Sequence, residues 1–242
     1  MLLAFVAATV VLSLLPQWMP MAPGPMPSRW VIAAVNGGTA LVLYGVLGLI
    51  GLRLGRRNGF APAWPESIDS AALFLRPAMV GIVIGAGFVA VDLVLTPLHG
   101  LGPLPHPPFP QSVFASLAAG IGEEVLFRLF FIGLWFWLLD RLILRGRGRN
   151  GLFWSVAVVA ALVFAVGHLP ALLTLLGREI TPEAVAALPP ALLAEVVILN
   201  GALSLVVAKA LRDHGIVAAA GVHFWTDVVW HVIWGPLSSV QV

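Results

Sequence analysis

The sequence predicts an all-α fold: a polytopic membrane helix bundle of about seven transmembrane helices with its N-terminus on the cytoplasmic side. Three observations carry this. Of the 242 residues 60% are hydrophobic and only 10% are charged, and mean hydropathy is +1.00, so too few charges exist to clothe a water-soluble domain of this size. Apolar runs of about 20 residues recur along the whole chain, the length needed to cross a bilayer, and they are continuous rather than alternating, which selects helices over a barrel. The third observation is the placement of Lys and Arg, taken up once the spans are set out.

Met1 to Leu15 is an apolar run without a basic leader region or an A-x-A cleavage site, so it is expected to be the first membrane helix rather than a signal peptide. A proline-rich turn, Pro20 to Pro27, leads to a second span from about Trp30 to Leu54, stopped by Arg53, Arg56 and Arg57. Asn58 to Ser70 reads as a polar loop. The third span runs from about Ala72 to Leu98. Gly100 to Pro110 follows, with prolines that forbid helix and favour extended chain. Ser112 to Leu139 is the fourth span and Arg141 to Asn150 a loop with four arginines. Gly151 to about Leu176 is the fifth, with Pro170 expected to kink or end its regular helix. Ala191 to Leu211 and Ile216 to about Trp234 complete the set.

With this parsing ten of the thirteen cationic side chains fall on one side: Arg53, Arg56, Arg57, Arg76, Arg141, Arg145, Arg147, Arg149, Lys209 and Arg212. Only Arg29 and Arg178 fall on the other, and Arg128 lies inside a span. Cations collect on the cytoplasmic side of membrane proteins, which sets the orientation and explains the formal net charge of +2 without a nucleic-acid partner. No repeat or composition break divides the chain, so residues 1–242 are expected to form a single membrane domain. The chain has no cysteine, which excludes disulfides, thiolate metal sites and a cysteine nucleophile.

The fourth span contains Glu123-Glu124-Val125-Leu126-Phe127-Arg128, three charges in six residues of a lipid-embedded helix. One charge at the bilayer centre costs on the order of 2.5 to 3.5 kcal/mol on insertion scales, so such residues are paired, face a protein-lined cavity and serve function. At about 100° per residue Glu124 shares a face with Arg128, and Glu123 lies roughly 140° from it. Glu124 is therefore expected to pair with Arg128, leaving Glu123 available for chemistry. Small residues at Ser116, Ala118, Ala119, Gly120 and Gly122 admit a neighbouring helix.

His168 follows Phe164 by four residues. On the seventh span His223, Asp227 and His231 form a polar ladder on one helix face. By helical rise Glu123, His223 and Asp227 fall at similar depth, with His168 further out unless Pro170 bends the chain back. Asn200 is a lesser candidate to line the same cavity. Asp92 is expected to pair with His99 or an outer-loop group, and Asp92 and Glu195 to play structural parts. His106 and His214 read as solvated loop residues, and Trp225 and Trp230 as packing or anchoring groups.

A carboxylate and a histidine can take a proton from water, and a second histidine with an Asx residue can bond to the oxyanion formed when that water attacks a carbonyl. Neither H-E-x-x-H nor another metal signature occurs, so no metal or cofactor is expected. G-x-S-x-G is also absent.

These residues resemble the CAAX protease and bacteriocin-processing family, also called Abi, which includes the type II CAAX prenyl endopeptidases. Its pattern E-E-x-x-x-R, F-x-x-x-H and H-x-x-x-N or D is met by Glu123-Glu124 with Arg128, Phe164 with His168, and His223 with Asp227, in order and spacing. The resemblance spans about residues 112 to 235, the expected catalytic core; residues 1–111 would supply three preceding spans. It implies that Glu123 and His168 activate water, that His223 and Asp227 hold the oxyanion, and that Glu124, Arg128 and Phe164 support them. His231, outside the motif, is a further supporting candidate. Many members carry Asn where this chain has Asp227. Asn donates a hydrogen bond at any pH whereas Asp must be protonated to do so, which leaves Asp227 equally a candidate to orient His223 or His231.

The expected activity is thus a glutamate-dependent intramembrane endopeptidase that cuts near a membrane-embedded or lipidated substrate terminus. Its expected partners are membrane lipid and a peptide or protein substrate, its expected location the bacterial cytoplasmic membrane. The alternatives are a non-catalytic binding or immunity protein and a zinc-dependent form of the same protease.

Overall fold

Every regular element among the described residues of the computed structural model, 1–19, 26–64 and 71–238, is a helix. They are α1 (Leu2–Leu14), α2 (Arg29–Asn58), α3 (residues 71–99), α4 (residues 111–144), α5 (Arg149–Gly167), α6 (Leu169–Leu175), α7 (Pro182–Ala186), α8 (Pro190–His214) and α9 (Ile216–Ser238). Most of the turn expected at Pro20 to Pro27, and the end of the loop expected at Asn58 to Ser70, lie outside the described residues.

Among the described residues five stretches are long and apolar enough to cross a membrane: α2, α3, α5 with α6, α8 and α9. The charged α4 is the sixth long helix. The expected first span is shorter than a membrane crossing requires: α1 has 13 residues, about 20 Å of rise against a core of about 30 Å, and it packs on α2 and α4. The short helix α7, with Pro182 in its first turn and the Thr181 hydroxyl accepting from Ala184 N–H, lies in the connection between α6 and α8 and was not anticipated.

Local chemistry sets the boundaries. The Ser28 side chain caps the start of α2, and Gly59 and Gly100 end α2 and α3 in the left-handed conformation. Pro170 cannot continue the ladder of α5. The chain tightens there, with the His168 N–H donating to Ala165 C=O at 3.1 Å, and helix resumes in α6.

At one end of the bundle the termini of α2, α4, α5 and α8 are tied by cations. Arg149 pairs with Asp140 and donates to Asn58 C=O at 2.7 Å, and Arg212 donates to Asn150 Oδ1 at 3.0 Å. This is the arginine-rich end seen in the sequence. The segment Gly100 to Pro110 and α6 lie toward the opposite end.

Helix α9 is the centre of the bundle and packs against α3, α4 and α8. The outward faces of α2 and α3 expose Trp30, Val35, Val42, Leu49, Val83 and Val94, as lipid-facing helices should. Buried polar residues instead collect inside, among them Ser116, Glu124, Arg128, Glu195, Ser204, His223, Thr226 and Asp227.

Candidate active site

The site begins with a wide turn. Helix α4 is regular to Glu123, then runs as π-helix from Glu124 to Ile132, a rare geometry frequent at functional positions. A Cβ on Gly120 would lie 3.0 Å from the backbone nitrogen of Phe224, so glycine there lets α9 lie against α4 directly beside the glutamate pair.

That approach delivers His223 between the two glutamates. Its Nδ1 stands 2.8 Å from Glu124 Oε1, and its Nε2 3.7 Å from Glu123 Oε2 and 3.5 Å from Asp227 Oδ2. Because a carboxylate only accepts, the short contact to Glu124 puts a proton on His223 Nδ1. Glu124 Oε2 is 3.5 Å from Arg128 Nε, and both side chains are fully buried. The Arg128 guanidinium also sits 4.1 Å from the centre of the Phe164 ring, a cation–π contact that explains an aromatic residue at this position. Glu124 thus faces Arg128 on one side, as the helical spacing suggested, and His223 on the other. Glu123 differs from its neighbour: its side chain is 33% exposed, against none for Glu124.

His168, at the break between α5 and α6, approaches Phe164 C=O with Nδ1 at 2.7 Å. The carbonyl can only accept, so Nδ1 carries the proton and Nε2 of the neutral ring has a free lone pair. Its ring packs edge-on against Phe164.

A cavity of about 210 Å³ connects these groups. Glu123, His168, Asn200, His223, Asp227 and His231 supply its polar lining, and Phe88, Leu172, Leu199, Leu203 and Trp230 its apolar walls. The break at His168 removes the depth mismatch expected from a straight fifth helix. Asn200 faces the cavity while its Nδ2 donates to Val196 C=O at 2.9 Å. Among the described residues, no group of three or more His, Cys, Asp or Glu is placed to hold a metal ion.

Three findings depart from the sequence reading. His106 is not a solvated loop residue: Gly100 to Pro110 folds back as a strap, and His106 Nδ1 meets His231 Nδ1 at 3.0 Å while its ring packs edge-on on Trp230. Burial lowers the His106 pKa to about 4. Leu104 and Pro105 of the strap line the cavity. Proline runs are normally solvent-facing, so no local signal marked this one as a wall. Finally, Trp230 packs as expected against Phe88 and His106 but also forms part of the cavity.

Fold and cavity together describe an integral membrane protein with a cavity of about 210 Å³ inside its helices, apolar over most of its wall and entered by a few polar side chains. A family model for type II CAAX prenyl endopeptidase Rce1-like proteins matches residues 105–229, and the chain belongs to that family. It is accordingly a CAAX-type protease of the membrane, working on peptide in a lipid environment. No curated protein and no solved structure matches the chain.

Proposed function

We propose that the chain hydrolyses a peptide bond near a membrane-embedded or lipidated substrate terminus by direct attack of water, with Glu123 and His168 as the activating groups. The observation that carries this reading is the cavity that Glu123, His168, His223 and Asp227 line together. Glu123 is the half-exposed carboxylate, whereas Glu124 is committed to His223 and Arg128. A water in the cavity gives one proton to the Glu123 carboxylate or the free Nε2 of His168, and its oxygen bonds to the scissile carbonyl carbon. The carbonyl electrons move to oxygen, and the resulting oxyanion accepts from the Nε2–H of His223, which acts as the doubly protonated ring because its Nδ1–H is held by Glu124. Collapse re-forms the carbonyl, breaks the C–N bond and passes the held proton to the leaving amine. Water is consumed, and a carboxyl terminus and an amine are released.

Glu124 holds His223 through Nδ1, so Glu124 and Arg128 are positioning residues in this scheme. Asp227 faces His223 Nε2 at 3.5 Å, a geometry that favours its orienting the ring. A helical substrate must unwind locally before cleavage, because its scissile carbonyl is otherwise hydrogen-bonded within the helix. We read the arginine-rich end as the cytoplasmic face of a bacterial membrane.

The test is cleavage in liposomes of peptides with apolar or lipidated C-terminal segments, followed by mass spectrometry. Wild type should cleave and His168→Ala should lose activity by about 10²-fold or more, the contribution of a positioned acid–base group. Undiminished turnover by His168→Ala contradicts the scheme. Loss of wild-type activity on chelation, restored by zinc, replaces it with the metal-dependent alternative.

A further inference from the structure

A second cluster of ionisable side chains lies inside the bundle and takes no part in the scheme above. Asp92 of α3 is 3% exposed, and Glu195 of α8 and the His99 side chain at the end of α3 are fully buried. Asp92 Oδ2 accepts the Trp234 indole N–H of α9 at 2.8 Å, and Oδ1 accepts the Thr96 hydroxyl at 3.0 Å. The Glu195 carboxyl lies close enough for the two acids to interact electrostatically. His99 Nδ1 accepts the backbone N–H of Leu101, the second residue of the strap, at 3.2 Å, and His99 Nε2 stands 3.2 Å from Glu195 Oε2.

These contacts fix the protonation pattern. Because Nδ1 accepts from Leu101, the proton of the His99 ring is on Nε2 and the ring is neutral. No lysine or arginine compensates the two acids. Of the thirteen, ten belong to the arginine-rich side, Arg29 and Arg178 are exposed, and Arg128 is occupied by Glu124. The His99 Nε2–H approaches Glu195 Oε2 at 3.2 Å without the alignment of a hydrogen bond, so among the described residues neither Glu195 oxygen has a well-formed N–H donor. Two ionised carboxylates side by side without a cation are strongly disfavoured in a low-dielectric interior, and one proton shared between them turns the repulsion into a hydrogen bond.

The cluster is joined to the catalytic cavity through the strap. His99 holds its first residues. Further along, His106 is held by His231 and Trp230, and a Cβ on Gly235 would lie 2.8 Å from that of His106. Between the two anchors Leu104 packs against both the central core and the satellite core of Leu172, Leu173 and Leu192, and it lines the cavity. Trp234 extends the same connection to α9, three residues beyond His231.

We propose that Asp92, Glu195 and His99 form a proton-sharing latch that seats the Gly100–Pro110 strap, and that the seated Leu104 and Pro105 form the outer wall of the substrate pocket. Asp92, Glu195, His99 and His106 are then positioning residues, acting on substrate fit rather than on the water. The statement about substrate rests on the peptidase reading; the seating of the strap does not.

The chain has no cysteine, so a single Leu104→Cys reports strap seating by its rate of reaction with a bulky maleimide in detergent. Glu195→Leu in that background should react about fivefold faster or more, because the loss of a buried polar link lowers the cost of local opening. Glu195→Gln supplies its own N–H donor to Asp92 and should stay within about twofold of the parent. Equal labelling of the parent and a folded Glu195→Leu overturns the proposal. Should Glu195→Leu fail to fold, Trp234→Phe, which leaves one Asp92 oxygen without its donor, gives the same comparison. In the peptidase assay Glu195→Leu should raise KM severalfold with kcat within about twofold, since the groups that activate water are untouched; a fall in kcat at unchanged KM overturns the positioning role. If labelling responds while no variant, wild type included, cleaves peptide, the latch stands and the peptidase reading fails.

Discussion

Arg128 gives the sharpest energetic prediction, because its burial is complete and its partners are few. The guanidinium pairs with Glu124 at 3.5 Å and lies 4.1 Å from the centre of the Phe164 ring, and none of its nitrogens has a hydrogen-bond partner among the described residues. Arg128→Met keeps most of the apolar stem but strands the Glu124 carboxylate in the interior with His223 as its remaining partner. Breaking a buried ion pair from one side costs about 3 to 5 kcal/mol, more than the roughly 2 kcal/mol available from the cation–π contact alone. In a chain of this length that is a fall in Tm of roughly 6 to 20 °C. The single change Glu124→Gln strands the guanidinium instead and should also destabilise. The double variant Glu124→Gln, Arg128→Met buries no unpaired charge and should recover at least about 2 kcal/mol relative to Arg128→Met. The assay is intrinsic fluorescence on heating in detergent, for which nine tryptophans supply signal. If the double variant is as unstable as the sum of the singles, Glu124 and Arg128 are not coupled, and the ion-pair explanation of the charged stretch is wrong.

Other consequences follow from the same contacts. Gly120→Val forces α9 away from α4, since even a Cβ would lie 3.0 Å from Phe224 N; it should cost about 1 to 3 kcal/mol and, by separating His223 from Glu124, lower peptide cleavage more than an equally destabilising change elsewhere. His106 has its pKa lowered to about 4 by burial, so the neutral ring favours the folded state. Its contribution is full above the unfolded value of about 6.5 and declines as pH falls toward 4, by at most about 3 kcal/mol. The wild-type Tm should therefore drop across that window more than that of His106→Asn, and parallel curves would contradict the buried, neutral histidine. Asp227→Asn should reduce cleavage if the carboxylate orients His223, whereas full retention of kcat would show that a donor is what the position needs.

Much of this architecture is legible in the sequence because hydropathy reports exclusion from water, which is the constraint a bilayer imposes on every span. The pairing of Glu124 with Arg128 is legible for a different reason, since four-residue spacing on a helix carries side-chain direction, whereas their contacts with Phe164 and His223 on other helices are not. What sequence conceals is geometry that leaves composition unchanged. The π-helical turn from Glu124 to Ile132 has the hydropathy of an α-helix. The break at His168 is hinted at by Pro170, but the inward placement of the ring depends on how the turn tightens. His106 and His231 are 125 residues apart, and Asp92 meets Trp234 across 142. Such pairs follow from packing of the whole bundle, which is why His106 reads as solvated and Asp92 as a local partner of His99. In the fold Asp92 turns to Thr96 and Trp234, and His99 to Glu195. The shortness of α1, by contrast, is visible in the sequence, since its apolar run from Met1 to Leu15 already falls short of the length a crossing needs.

The central claim is that the two adjacent glutamates have divided roles, with Glu123 toward the cavity as base and Glu124 toward Arg128 and His223 as support. The most direct test is kcat/KM for liposome-embedded peptide with wild type, Glu123→Gln and Glu124→Gln, each verified as folded. The account predicts a loss on the order of 10² to 10⁴-fold in kcat for Glu123→Gln, the range of a removed general base, without loss of Tm, and a loss of Tm with the activity defect for Glu124→Gln. Wild-type turnover by Glu123→Gln would contradict it.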